Sequence, residues 1–307
     1  MSNLWMRKFE FSAGGVLIRE PLTVKFAIPF SDSSDTNGTT IKVYNLKDST
    51  IKGIKINTLA LLQAGYVSDY GNIFNGYLKA LSTAWDGVDK VTSFVCADAP
   101  AAYLKDTYKK TYSKGSKASV IIRDIASFAG LKIGDIKLPV DFVYRSGKTL
   151  KGTPQTLLTG IAKDCKAKMH ITKGSLYMRD KNAGTNLGIE ISKETGLLDH
   201  PELIENEVTV SVPVAKQTTT KSTTTSNAKD ASGKKKETQT KKATTTKKTT
   251  TRTGYKLKML LNPRIDTDVI IKLTSKTVSG TFRVEKGEHK GDTSGNEWFT
   301  ECEVYPI

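Results

Sequence analysis

Between Val214 and Thr253 lies a stretch with almost no apolar residue, and it constrains the fold more than any other feature. It holds ten lysines and Arg252 against Asp230 and Glu237, a net of +9 within a chain total of +16. Such a stretch has nothing to bury and so cannot offset the entropy of ordering it. Yet alternating apolar residues flank it on both sides, "ENEVTVSVPV" before and "YKLKMLLNP" after. The tract therefore reads as a flexible insertion over residues 215–253, joining two strands of one β region. Loop closure costs rise only logarithmically with length, and a flexible forty-residue chain spans roughly 35 Å, so both ends fit on one small domain.

The charge of the tract also raises the question of anionic partners. Lys234, Lys235, Lys236, Lys241, Lys242, Lys247, Lys248 and Arg252 are its candidate anion or partner contacts. Flexible cations can neutralise phosphates or other anionic polymers, with binding that falls steeply as salt rises. Nucleic-acid arms usually add aromatics for stacking or several arginines for bidentate contacts, and this tract has no aromatic and one arginine. A solvated spacer is the simpler reading.

The first hundred residues read as β. "TVKFAIPF" (Thr23–Phe30), "TTIKVYNL" (Thr39–Leu46), "IFNGYLKALSTAW" (Ile73–Trp85) and "DKVTSFVCAD" (Asp89–Asp98) are rich in β-branched and aromatic residues with period-two stretches. A polar loop at Asp32–Gly38 and a hairpin signal at Asp86-Gly87 separate them. From Pro100 the period changes. "GSKASVIIRDIASFAG" predicts a helix with a serine start, a stripe of Val120, Ile121, Ile125 and Phe128, and Gly130 as a left-handed stop. A second helix has Thr153 as N-cap, Pro154 in its first turn, and Leu157, Leu158, Ile161 and Cys165 on its buried face. "KMHITKGSLYMRD" then turns at Lys173-Gly174, completing two helix-then-strand units.

Strands resume with Val208, Val210, Val212 and Val214 on one face, and after the tract with "DVIIKLTS", "GTFRVEKG" and "EWFTECEV". A weak echo links the "FNGYLKAL...FVCAD" region to "VSGTFRVE...FTECEV", each with a glycine, an aromatic and a cysteine. The expectation is a mainly β chain with an α+β middle part. A first β domain spans 1–99, a small α/β domain 100–198, and a second β domain 199–307 carries the insertion.

Few residues suggest chemistry. His170, His200 and His289 are scattered and lack metal-ligand spacing, and Cys96, Cys165 and Cys302 are far apart, so buried thiols are expected rather than disulfides or zinc. Glu288, His289 and Asp292 in "EKGEHKGDTSG" could form an acid–base site, but the same residues suit a hairpin turn. Asp124, Asp164 and Asp180 read as solvated charges. No catalytic, cofactor or metal residues are assigned. The absence of an eighteen-residue apolar run, and of a long apolar core near the N-terminus, leads us to expect no integral membrane segment and no secretory export.

Taken in order, "IKVYNLKDSTI", "LLQAGYVSDYGNIFNGYL", "WDGVDKVTSFVCAD", "GSKASVIIRDIASFAGL", "GSLYM", "ETGLLDHPE", "LKMLLNPRIDTDVIIKL" and "FRVEKGEHKGDTSGNEWFTECEV" cover nearly the whole chain. In this set the chain resembles the tail-hub proteins of long-tailed phages, defective prophages and phage-tail-like bacteriocins, and is similar to the baseplate hub of contractile tails. The resemblance implies two β-barrel domains akin to the tail-tube subunit flanking the middle domain, and a structural role without catalysis. It implies a homotrimer that docks beneath a six-fold tail tube and receives a spike or tail-tip protein, with the tape-measure protein as a further partner. It implies a virion or tail-like particle assembled in the host bacterial cytoplasm, with DNA passing through the hub. The long tract departs from the family pattern. Three copies of it would bring roughly thirty positive charges into a channel that must release a polyanion, so the tract is expected to point away from it. Two other classes stay open at this stage: a cell-wall-acting tail lysin, and a module binding glycan or another anionic polymer.

Overall fold

The computed structural model describes residues 6–213 and 245–307, with side chains described outside 207–250. Its first region contains β1 (Arg7–Ala13), β2 (Val16–Ile18), β3 (Val24–Ser31), β4 (Gly38–Tyr44), the short helix α1 (Asp48–Gly53), β5 (Leu59–Tyr66), β6 (Asp69–Asp86) and β7 (Asp89–Ala97). Alternation decides which face is buried. In β3, Val24, Phe26, Ile28 and Phe30 point into the core, and the residues between them are partly or fully exposed. The expected hairpin at Asp86-Gly87 is present, with Gly87 at φ +62° and Asp86 paired to Asp89.

The middle region comprises α2 (Ala101–Lys105), β8 (Tyr108–Tyr112), β9 (Ser116–Lys117), α3 (Ala118–Phe128), β10 (Lys132–Ile136), β11 (Val143–Tyr144), β12 (Lys148–Gly152), α4 (Pro154–Asp164), β13 (Lys168–Thr172) and β14 (Ser175–Arg179). Here α3 leads into β10 and α4 into β13, and the small sheet runs β10-β14-β13, with β10 parallel and β13 antiparallel to β14. Helix α4 starts as expected: Thr153 Oγ1 accepts from the Thr156 N–H at 3.4 Å, and Pro154 follows. Helix α3 does not. Its N-cap is Lys117, with no capping side chain, and the orphan N–H of Ser119 donates instead to the Asp141 carboxylate at 2.9 Å. Its buried face also differs from the expected stripe. Ile121 and Ile125 are buried together with Ala118, Ile122 and Ala126, while Val120 and Phe128 are about half exposed. The helix stop is the expected one, with Gly130 at φ +68° and the Leu131 N–H donating to the Ala126 carbonyl at 2.9 Å.

The last region contains β15 (Thr185–Ile191), β16 (Glu202–Pro213), β17 (Thr245–Leu260), β18 (Val269–Thr274), β19 (Ser279–Asp292) and β20 (Trp298–Pro306). Residues Ile204–Gly254 form a compact unit of their own, in which β16 neighbours β17; the rest of the chain is the other unit. Strand β17 begins at Thr245, so the end of the expected flexible insertion is strand. The alternating faces of Val208 to Val214 lie outside the described side chains.

From Tyr255 onward β17 pairs with β20, β20 with β19, and β19 with β3 in the register Lys286↔Ser31 to Asp292↔Lys25. The path continues β4-β7-β6-β5-β1-β2, so both β regions share one large sheet, antiparallel from β17 to β2 and with β15 added parallel to β18. Among the described residues that hydrogen-bonded path does not close into a barrel. The expected echo survives as topology alone. β5-β6-β7 and β18-β19-β20 are both antiparallel meanders, but Cys96 pairs with Leu78 and Cys302 with Gly287, so the glycine and cysteine positions do not correspond.

Three hydrophobic clusters form beneath these elements, and each contains one cysteine. All three thiols are buried and free, as expected, and burial pushes those of Cys96 and Cys302 up to about 12.

Candidate functional site

The sequence-predicted contacts fall largely outside the described residues. Lys234, Lys235, Lys236, Lys241 and Lys242 lie outside the described residues, and Lys247, Lys248 and Arg252 are on β17, where Arg252 is half-buried.

The acid–base trio is dispersed by the pleat of β19, which is a strand through Asp292 and not the turn its glycines and charges suggest. Glu288 Oε2 faces Lys290 Nζ at 3.3 Å. Its neighbour His289 points the other way, fully buried against the Phe30 ring, with Nδ1 2.8 Å from Thr300 Oγ1. Burial lowers its pKa to about 3, so the imidazole is neutral. Asp292 pairs with Lys25 at 3.1 Å and accepts the Ser294 N–H at 2.9 Å. Three carboxylate and imidazole groups facing three different partners do not converge on a substrate. His200 lies exposed in a loop. Asp124 and Asp164 carry more than solvent. Asp124 accepts from Tyr112 at 2.9 Å and Lys110 at 2.6 Å, and Asp164 from Tyr144 at 2.7 Å and Lys148 at 3.0 Å, tying each helix to a neighbouring strand.

The densest set of convergent polar groups sits where the three regions meet. Arg283, on β19, is 3% exposed. Its guanidinium binds the Asp268 carboxylate, reaches Asp32 Oδ2 and Glu285 Oε1 at 3.2 Å each, and donates from Nε to the Ala183 carbonyl at 3.1 Å. Asp32, just after β3, is also bound by Lys168 from β13. His170, on the same strand, stacks on Tyr177 with ring centres 5.1 Å apart, and its Nδ1 lies 3.6 Å from Asp268 Oδ2. Burial pulls the His170 pKa down to about 4, and burial raises that of Asp268 against the opposing pull of Arg283. Nearby, Lys173 Nζ meets Asp266 Oδ2 at 2.9 Å.

Asp268 and Asp32 are matched by cations from other elements and Glu285 by Arg283 of its own strand, so the arrangement clamps distant segments together. Removing one partner of such a set strands a buried charge, at a cost of about 3–5 kcal/mol. Sequence reasoning missed the cluster. The one signal was Arg283 between the apolar Phe282 and Val284, where an unpaired buried arginine would be untenable. Among the described residues no group of three or more His, Cys, Asp or Glu is placed to hold a metal ion, and no helix is long and apolar enough to cross a membrane.

No family model matches the chain, and no curated protein matches it. Solved structures do. The 43 kDa tail protein of prophage MuSo2 from Shewanella oneidensis aligns with a TM-score of 0.61 at 11% identity, covering 98% of both chains. The tail protein from Neisseria meningitidis MC58 aligns at 0.62 with 8% identity, covering 98% of this chain and 97% of its own. An E. coli component of the type VI secretion system, itself structurally similar to bacteriophage T4 tail proteins, aligns at 0.55 with 7% identity, covering 97% of this chain and 76% of its own.

The fold is therefore one shared with solved phage-type tail proteins, the fold that the ordered sequence phrases suggested. The end-to-end matches are to tail proteins of prophage and bacterial origin, and a type VI secretion component shares the same architecture.

Proposed function

We propose that this chain is a structural hub adaptor of a phage-type tail, located at the baseplate of a virion or tail-like particle. Three copies form a ring that joins a six-fold tail tube to the central spike or tail-tip protein, with the tape-measure protein above it and DNA passing through it. The residues 1–99 and 199–307 serve as two tube-like β domains and 100–198 as the domain between them. Assembly takes place in the host cytoplasm, and the role is structural rather than enzymatic.

The end-to-end fold match to two tail proteins, at 98% coverage of this chain, is the observation that carries this reading. The β3–β19 pairing adds support, because through β3 and β4 it joins two antiparallel meanders into one sheet, so that three copies offer six comparable β surfaces. The lysines of the insertion then face a neighbouring baseplate protein or solvent.

Negative-stain imaging of the purified protein, alone and mixed with its tail-tube protein, tests the proposal. Three-fold rings capping tube ends are expected. A monomer that leaves tube ends bare would overturn the reading.

A further inference from the structure

The β6–β7 hairpin ends in an overhang. β5 pairs with β6 up to Tyr77 and β4 with β7 up to Val91, and beyond these points the two strands have only each other as strand partners, with Trp85 opposite Lys90 and Asp86 opposite Asp89. A two-stranded ribbon without a core has little stability of its own. This one nevertheless holds apolar side chains out in solvent: Val88 is 92% exposed and Trp85 72%. Its free charge is acidic. Asp89 accepts from Asn45 Nδ2 at 2.8 Å and Lys90 is taken by Asp48 at 2.7 Å, while the exposed Asp86 forms no ion pair among the described residues.

A surface of opposite charge lies in the middle region. Residues 100–180 hold sixteen lysines and arginines against six aspartates, a net of +10 that exceeds that of the insertion. At the β9–β11 corner this charge adjoins exposed apolar groups. Lys117 pairs with Val143, the Gly115 N–H donates to the Tyr144 carbonyl at 2.8 Å, and the Ala118 N–H donates to that of Phe142 at 2.8 Å. These bonds gather Lys114, Lys117 and Arg145 around Phe142 and Val143, which are 40% and 42% exposed. None of the three cations forms an ion pair among the described residues. The neighbouring acid, Asp141, is occupied by the Ser119 N–H and hydroxyl at 2.9 and 2.8 Å.

Chain direction separates the two surfaces within one copy. β7 leaves the hairpin tip at Asp89 and ends at Ala97, just before the middle region, about 27 Å away at the rise of an antiparallel strand. No hydrogen bond, ion pair or ring contact among the described residues joins the tip to the corner.

We propose that the β6–β7 tip of one copy docks on the β9–β11 corner of a second copy, with Trp85 and Val88 against Phe142 and Val143, and Asp86 facing Arg145 and the two lysines. The contact rests on the ring reading given above, in which it repeats from each copy to the next. It joins two different patches and is therefore heterologous, the kind of contact that closes a ring when its rotation divides the circle. Tryptophan and arginine are the residues in which interface energy concentrates, and opposed charges fix which end of one copy meets which end of the next.

Sedimentation velocity of the full chain over a concentration series, with circular dichroism as the check on folding, tests the contact. Wild type is expected to assemble. Trp85→Ser, Asp86→Arg and Arg145→Glu, all at exposed positions, should each raise the concentration needed for assembly by at least about tenfold, with unchanged spectra. Asp86→Arg combined with Arg145→Glu should assemble better than either single change, which independent effects of the two side chains would not produce. Assembly of Trp85→Ser at the wild-type concentration, or a combined variant no better than the single ones, overturns the contact and leaves the ring standing. If Trp85→Ser assembles normally but no longer caps tubes, the tip belongs to the tail-tube protein and the contact is likewise overturned. A wild type that stays monomeric, alone and with its tail-tube protein, overturns the ring and the contact together.

Discussion

The middle region and the first β region bury comparable cores by different means. Every residue of the middle cluster falls between Ala99 and Met178, one contiguous stretch of chain. The first β cluster runs from Phe9 to Cys96 and then takes in Leu261 and Trp298 from the far end of the sequence. Trp298 packs edge-on against Phe26 with ring centres 5.5 Å apart and donates from Nε1 to the Gly65 carbonyl at 3.1 Å, while Tyr66 donates to its carbonyl at 3.4 Å. Arg7 adds a bond to the Asp292 carbonyl at 2.9 Å. The tip of the β19–β20 hairpin thus covers the open end of β1 and β5. The reverse exchange also occurs, since Phe30 belongs to the last cluster. A contiguous core can form as its segment folds, whereas the β cores must wait for each other.

The largest test of that difference is Trp298→Ala. Loss of a buried tryptophan costs about 3–5 kcal/mol. Hydrogen exchange should speed up in β1 and β5 together with β20, while α3 and α4 keep their protection. Unchanged protection in β1 and β5 would break the comparison.

Acid provides the next. His170 and His289 are buried as neutral imidazoles, with pKa values lowered to about 4 and about 3 by burial. For a base depressed in the folded state, the stability present above its unfolded pKa is lost as pH falls toward the folded value. Each histidine should therefore withdraw roughly 3 kcal/mol as pH drops from about 6.5 to 4. Both contact β19 or the residues it pairs with, so in acid titration monitored by exchange, β13, β19 and β20 should loosen before α3.

The smallest effect separates the two helices of the middle region. Asp141→Ala and Thr153→Ala each remove an N-terminal cap and should each lower thermal stability by about 1 kcal/mol. Equal losses are expected, although only the Thr153 cap was visible in the sequence. An inert Asp141→Ala would mean that the α3 cap is dispensable.

That contrast shows what was legible. Thr153 and Pro154 are adjacent to the turn they start, and Gly87, Gly130 and the Lys173-Gly174 pair supply the backbone conformations of the turns they occupy. Asp141 caps a helix that begins more than twenty residues earlier, which no local pattern encodes. The buried face of α3 was misjudged for a related reason: Val120 is as apolar as Ile122, and only the packing of α4 and the sheet selects between them. "EKGEHKGD" looked like a loop because of its glycines and charges. In the structure those glycines are sites of close approach within a strand, with the Phe30 ring against Gly287 and the Phe26 ring against Gly291, where a Cβ would lie 2.5 and 2.1 Å from ring atoms. The start of the insertion expected over 215–253 lies outside the described residues, and its end is a strand from Thr245 whose threonines and lysines read as spacer.

By itself the sequence determined the periodic segments, most turns, one helix start, the burial of the thiols and the ordered phrases that pointed to the fold of tail proteins. Those are local properties, set by side-chain spacing and by backbone conformations that few residues adopt. Tertiary structure alone decided that Ser31 would pair with Lys286 and that Arg283 would meet Asp268, Asp32 and Glu285. A strand edge offers the same hydrogen-bonding groups whatever its side chains, and a buried charge is tolerable only once distant segments supply its partners.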